Sequence, residues 1–192
     1  FSILTISEIH QAKTDGLLFL FISICNLIVY RVINEKKSSY NFLFWISLAA
    51  GILIKGPIIL IFIFIPLLAF SIYKKKNYFS YVWSISAFFT FLLITIPWFV
   101  LINIKSGGLF WNESVGNDLF NKVKSGQESH GFPPGYYTLL VLLFFWPGCI
   151  FLFNLFKHLK SNFKKILKND DYTFYLVLSF ILPFLFFELI PT

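Results

Sequence analysis

The stretch ESHGFPPGYY, residues 128–137, contains the clearest candidates for chemistry in this sequence. Glu128 and His130 stand two residues apart, and a carboxylate beside an imidazole can act as acid and base or bind a divalent metal ion. A metal site needs three or more ligands, and the others cannot be assigned here. A hydrogen-bonded histidine at a membrane interface therefore stays open as the alternative. Tyr136 starts the apolar run that follows, at headgroup level.

A second pair of candidates is Asp15, which stands directly before an apolar segment, and Lys55, in ILIKGPII. Thr14 or Asp15 suits a helix N-cap, where a carboxylate interacts favourably with the helix dipole. A lone lysine beside an apolar run often extends to the membrane interface without a further role. The functional alternative is an ion pair between Asp15 and Lys55 at the outer edge of the membrane.

The composition requires that these side chains be positioned by membrane helices. The chain of 192 residues is 57% hydrophobic and contains 27 Phe, and its mean hydropathy is +0.76, which is too apolar for a water-exposed domain of this size. Neither an initiator Met nor a signal peptide begins the sequence, and it stops just after an apolar run. We expect an internal fragment that forms a single membrane domain over residues 1–192.

Apolar segments of roughly membrane-spanning length predict an all-α, polytopic transmembrane helix bundle. The predicted spans cover residues 16–34, 41–54, 58–73, 80–102, 136–156 and 172–190. The one long connection, residues 103–135, is longer than a simple link requires, and loops of this kind are usually functional or disordered.

The basic residues predict which side each connection faces. When alternate connections are grouped, 11 Lys and Arg fall on one side and 5 on the other, and the side with more is expected to be cytoplasmic. The 103–135 loop and the turn at Lys55 then face outward. A single kinked helix over 42–72 is the alternative to a hairpin at Lys55, but it would bury that lysine at a cost of about 2.5–3.5 kcal/mol.

The outer loop is electrically balanced, which argues against nucleic acid as a partner. Its three lysines, among them Lys122 and Lys124, are matched by three carboxylates, so no broad basic surface is expected. A phosphate group here would be bound by individually placed lysines. The sequence contains no glycine-rich phosphate loop, and we therefore expect a substrate that arrives from the lipid or from outside.

Five segments, taken in order, resemble bacterial membrane glycosyltransferases related to protein O-mannosyltransferases, and in particular the branch that contains the 4-amino-4-deoxy-L-arabinose transferase of lipid A. The segments are AKTDGLL (12–18), AAGILIKGPIIL (49–60), TIPWFVL (95–101), ESHGFPPGYYTLLVLLFFWP (128–147) and FFELIPT (186–192).

The resemblance implies a GT-C fold in the bacterial inner membrane, with outward loops that form a cleft for a sugar carried on a polyprenyl phosphate. It implies an inverting transfer to an extracytoplasmic acceptor, either a glycolipid or a protein, with the catalytic carboxylate upstream of this sequence. Asp15 and Lys55 would match the family's Thr-Asp and Lys-Gly motifs near the lipid phosphate, and His130 would match a metal-binding histidine. The candidates for binding substrate or lipid phosphate are thus Lys55, Asp15, Lys122, Lys124 and Tyr136, and those for binding metal are His130 and Glu128.

Two other classes of protein remain alternatives. A transporter would use Asp15 and Lys55 as an ion pair within the membrane, and it should show repeat symmetry and charges at mid-membrane. A membrane scaffold, or an O-antigen ligase or polymerase that uses the same class of donor on another fold, is the third alternative.

Overall fold

The computed structural model describes residues 14–35, 40–110, 135–144, 148, 150–151, 154, 157–158, 160–161 and 170–189. Within these ranges the helices are α1 (Asp15–Glu35), α2 (Asn41–Lys55), α3 (Ile58–Lys74), α4 (Phe79–Val82), α5 (Ile85–Lys105), α6 (Tyr136–Phe144) and α7 (Asp171–Leu189). Separate positions between 150 and 161 are also helical, and no described residue lies in a strand. The predicted all-α fold is confirmed.

The helices pack into a bundle in which α1 contacts α2, α3 and α7, while α5 lies along α2 and α7 lies along α3. Large side chains that are fully buried fill the interior, among them Phe44, Ile63 and Tyr175. One polar contact between helices joins α1 to α7, where the Tyr175 hydroxyl donates to Asn26 Oδ1 at 2.7 Å. This pairing avoids the cost of an unsatisfied polar group in an apolar interior.

One predicted span differs from the structure. The sequence suggests a continuous segment over 80–102, but the chain breaks between α4 and α5, and Ser84 is extended at φ −148°. The carbonyls freed at this break are bound from α2: the Trp45 indole N–H donates to the Val82 oxygen at 2.9 Å, and the Asn41 amide donates to the Trp83 oxygen at 3.3 Å. Helix breaks are tolerated where neighbouring helices satisfy the backbone in this way.

The outer surface of the bundle is apolar, as a bilayer requires. Phe19 is 71% exposed and Leu93 is 73% exposed. In water, exposed side chains of this kind would form a large apolar patch that promotes aggregation. Among the described helices, α1, α5 and α7 are long and apolar enough to cross a membrane, whereas α2 and α3 are shorter apolar helices. The 21 residues of α1 extend about 31 Å, close to the thickness of the hydrocarbon core.

Polar contacts stabilise one end of the bundle, which we call the Lys74 end. Lys74 Nζ lies 2.5 Å from Asp171 Oδ1, which joins the end of α3 to the start of α7. Asp170 caps α7, accepting the Thr173 N–H at 3.0 Å and the Thr173 hydroxyl at 2.7 Å. These two hydrogen bonds lower the pKa of Asp170 below its usual value, because they favour the ionised carboxylate. The hydrogen bond from the Thr173 backbone N–H has the larger effect.

Candidate functional site

The opposite end of the bundle, which we call the Lys55 end, brings together an acidic and a basic residue from different helices. Asp15 is the first residue of α1 and Lys55 is the last residue of α2. Because α1 and α2 are neighbouring helices that run in opposite directions, the start of one meets the end of the other. Lys55 Nζ donates to Asp15 Oδ1 and the two form a salt bridge. The predicted ion pair is therefore present.

Each partner of this pair also suits its own helix. A carboxylate in the first turn and an ammonium group in the last turn both interact favourably with the helix dipole. Thr14 occupies the position before α1, and its carbonyl accepts the Leu18 N–H at 3.0 Å. The Asp15 carboxylate accepts a hydrogen bond from Lys55. The side chains are 43% exposed for Lys55 and 47% for Asp15. The pair is therefore accessible to a ligand.

The turn after Lys55 determines where the lysine lies. Gly56 adopts φ 72° and its N–H bonds the Ile52 carbonyl at 2.8 Å. Glycine reaches this positive φ without steric cost, and Pro57 directly precedes α3, where its missing N–H is not needed. The chain reverses here, at the position where the sequence suggests a hairpin, and Lys55 is held at the edge of the bundle.

Glu188, near the end of α7, is a further carboxylate at the Lys55 end. The Thr138 hydroxyl of α6 donates to its Oε1 at 3.4 Å. Phe187 stacks on Phe62 of α3 with ring centroids 5.5 Å apart, and Phe62 lies five residues after Pro57, or about 7.5 Å along the helix. Glu188 therefore lies within about 7.5 Å, along the bundle axis, of the turn that follows Lys55.

The arrangement at this end leaves hydrogen-bond donors of Lys55 available for a further acceptor. An ammonium group has three hydrogen-bond donors, and Asp15 is its recorded acceptor, so donors remain for a phosphate oxygen. Asp15 restricts the position of the flexible lysine side chain. The described residues contain no group of three or more His, Cys, Asp or Glu side chains that could bind a metal ion.

The structure brings together two of the residues predicted for the site, Asp15 and Lys55. Tyr136 begins α6; its backbone is described and its side chain is not. The other predicted site residues lie outside the described residues: Lys122, Lys124, Glu128 and His130. The predictions for them, and for a bound divalent metal, stay predictions.

Glu188 was not among the residues that the sequence suggested for the site. The signal that could have identified it is a carboxylate inside FLFFELI, an otherwise apolar segment, because ionisable groups at membrane depth are functional candidates. Its contact with Thr138 joins residues 50 positions apart, which the spacing in the sequence does not indicate.

The chain is similar to a curated protein of named activity. It is 26% identical over 179 residues to undecaprenyl phosphate-alpha-4-amino-4-deoxy-L-arabinose arabinosyl transferase 2 of Proteus mirabilis (strain HI4320). The match covers 91% of this chain and 32% of that protein, so the chain spans about a third of its relative's length. No family model matches the chain, and no solved structure matches it significantly. The helices and this similarity together describe a membrane protein distantly similar to a sugar transferase.

Proposed function

We propose that this chain forms part of a membrane glycosyltransferase of the GT-C type. The enzyme moves a sugar from a polyprenyl-phosphate donor to an extracytoplasmic acceptor, either a glycolipid or a protein, at the outer face of the bacterial inner membrane. The observation that carries this proposal is the similarity over 91% of the chain to a protein named as an arabinosyl transferase acting on an undecaprenyl phosphate sugar.

The chemistry of such a transfer requires a cation near the membrane interface. The bond between the sugar and the phosphate breaks, and negative charge develops on the departing polyprenyl phosphate. A positioned ammonium group stabilises this developing charge. Lys55, held at a helix end and about half exposed, is the described residue best suited to this role, and Asp15 positions it.

The transporter alternative has less support in the described part of the chain. Its ion pair should lie near mid-membrane, but Asp15 is the first residue of α1 and Lys55 is the last of α2. A pair at helix ends does not move a charge through the bilayer. Such a pair is instead suited to the headgroup region, where the phosphate of a lipid-linked sugar lies.

The test uses the full-length protein in proteoliposomes supplied with a polyprenyl-phosphate sugar and a lipid acceptor. We expect wild-type transfer and a loss of about tenfold or more in kcat for Lys55→Ala. Removal of one oxyanion-hole donor from a water-excluded site costs about 10²–10³-fold, and the smaller loss expected here reflects the partial exposure of Lys55. Lys76→Ala is the matched control, because Lys76 is exposed in the connection at the Lys74 end. Absence of transfer by the wild-type protein would exclude the proposed function, and unchanged kcat in folded Lys55→Ala would exclude the lysine from the site.

The sidedness of the membrane is a separate part of the proposal. A cysteine placed at position 130 should react with a membrane-impermeant maleimide in intact cells if the outer loop faces outward. The protein without this substitution is the control, because it measures any background labelling of the two natural cysteines, Cys25, which is fully buried, and Cys149. Reaction only after permeabilisation would place this loop in the cytoplasm and contradict the proposed site of transfer.

A further inference from the structure

Glu188 retains a carboxylate oxygen that the fold does not use. Its Oε2 is out of contact with solvent and has no hydrogen-bond partner among the described residues. A buried polar atom without a partner is unfavourable, and for a charged group the penalty is larger. Since buried polar groups in proteins are nearly always paired, an oxygen of this kind indicates a partner that is absent from the described residues.

The other carboxylate oxygen of Glu188, Oε1, has a structural role. This role does not account for the unpaired Oε2. Oε1 accepts the Thr138 hydroxyl at 3.4 Å, and a Cβ built on Gly135 would lie 4.0 Å from it. Gly135 and Thr138 flank the first turn of α6, so a negative charge is placed at a helix N-terminus, where the dipole favours it. A neutral glutamine could accept the same hydrogen bond, so the hydrogen bond to Thr138 does not itself require the negative charge.

The described charges at this end leave Glu188 without a counterion. Lys55 forms a salt bridge with Asp15. Lys105 ends α5, and α5 packs along α2. Glu188 lies near the end of α7, which packs on α3, α1 and α6. The two residues therefore lie on helices that pack against different neighbours. A carboxylate that is partly withdrawn from water and unpaired in this way has its strongest complement in a cation that can also donate a hydrogen bond.

We infer that Glu188 binds a primary ammonium group carried by a lipid-anchored molecule. An ammonium group has both the positive charge and the donors that Oε2 needs, whereas a sugar hydroxyl would leave the charge unpaired. Glu188 lies near the end of its helix and within about 7.5 Å of the level of the turn after Lys55, so the group it binds belongs to a molecule whose polar part lies close to the headgroup level. The name of the similar transferase itself includes an amino sugar.

The ammonium group could belong to the donor sugar or to the ethanolamine headgroup of a lipid. In the first case the inference rests on the proposed function, and in the second it rests on lipid binding alone. Glu188 then determines specificity for the amine. Two measurements distinguish these sources, one with donors that differ only at the amine and one with lipids that differ only at the headgroup.

The first measurement compares kcat/KM of the full-length protein for a polyprenyl-phosphate 4-amino sugar and for its N-acetylated form, in vesicles of phosphatidylcholine and phosphatidylglycerol. We expect the wild-type protein to prefer the amino donor by about tenfold or more, as hydrogen bonds to charged groups allow. Glu188→Gln should lose this preference mainly through KM. Thr138→Val is the matched control, since it removes the hydrogen bond to Oε1 and keeps the carboxylate, and it should retain the preference.

The second measurement needs no turnover. The melting temperature of the full-length protein in micelles is followed as phosphatidylethanolamine or its N-acetylated form is added. A rise that only the amine-bearing lipid produces, and that Glu188→Gln loses, supports the headgroup as the source. If the wild-type protein distinguishes neither the donors nor the lipids at the amine, or if Glu188→Gln distinguishes them as well as wild type, the inference is wrong. Transfer without amine selectivity in either measurement would remove the inference alone, whereas a response to the amine lipid without transfer would remove the proposed function alone.

Discussion

Replacement of Gly51 by alanine tests the hairpin of α2 and α3 that places Lys55 at its end of the bundle. A Cβ on Gly51 would lie 2.2 Å from Ile59 Cδ1 and 3.3 Å from Ile59 Cβ and Cγ1. Carbon atoms in contact are separated by about 3.5–4.0 Å. Ile59 is fully buried, so its side chain has no open space to enter, and the two helices must move apart near the turn.

The expected cost follows from this overlap. Overpacking by one methyl group typically costs about 1–3 kcal/mol, while alanine favours a helix interior over glycine by about 1 kcal/mol. The net change for Gly51→Ala alone is then small or moderately destabilising, and the coupling to Ile59 is more informative. Ile59→Val removes the Cδ1 atom at 2.2 Å and by itself costs about 0.5–1.5 kcal/mol.

The assay is reversible unfolding in micelles, with the free energy of unfolding measured for wild type, both single variants and the double variant. In the double variant we expect about 1–2 kcal/mol less destabilisation than the two single changes together, within the range for residues in contact. Gly16→Ala is the control, because nothing lies within 4 Å of a Cβ at that position. If the two changes add to within about 0.5 kcal/mol, then Gly51 and Ile59 do not touch and the hairpin is packed differently.

Three further predictions concern polar contacts. Asp15→Asn and Lys55→Ala should show a coupling of about 0.2–1 kcal/mol in a double-mutant cycle that shrinks with added salt, because the pair is about half exposed; a coupling independent of salt would contradict an accessible pair. Asp170→Ala should lower the free energy of unfolding at neutral pH by about 0.5–2 kcal/mol. Because Thr173 lowers the pKa of Asp170, this stabilisation is present above the ordinary Asp pKa of about 4 and is lost as pH falls through the lowered pKa, so the variant and wild type should converge in acid; a constant difference would show that the charge is not involved. Trp45→Phe removes the 2.9 Å hydrogen bond to the carbonyl at the helix break and should cost about 1–3 kcal/mol, measured by the same unfolding assay, whereas an unchanged stability would mean that another group satisfies the carbonyl.

The sequence alone determined those features that depend on neighbours along the chain. Apolar runs long enough for a helix indicated the helices, and the bounds of α1, α2, α3 and α7 lie within a few residues of the predicted segments. The Gly-Pro pair after Lys55 indicated the turn, because positive φ at glycine and the missing N–H of proline are local properties. Because successive helices run in opposite directions, Asp15 and Lys55 were expected at the same end of the bundle. Their pairing could be predicted from this placement.

Tertiary structure alone decided which faces of these helices pack. In a membrane protein both lipid and protein interior are apolar, so the periodicity of hydrophobic residues does not distinguish the packed face of a helix from the exposed one. The break before Ser84 is an example, since it depends on hydrogen bonds from Trp45, 37 residues from the carbonyl it binds. Glu188 is another, since its contact with Thr138 forms only when α6 and α7 meet. Contacts between distant residues depend on how side chains fit across helices, and neither composition nor spacing along the chain encodes that fit in a form that can be read from one sequence.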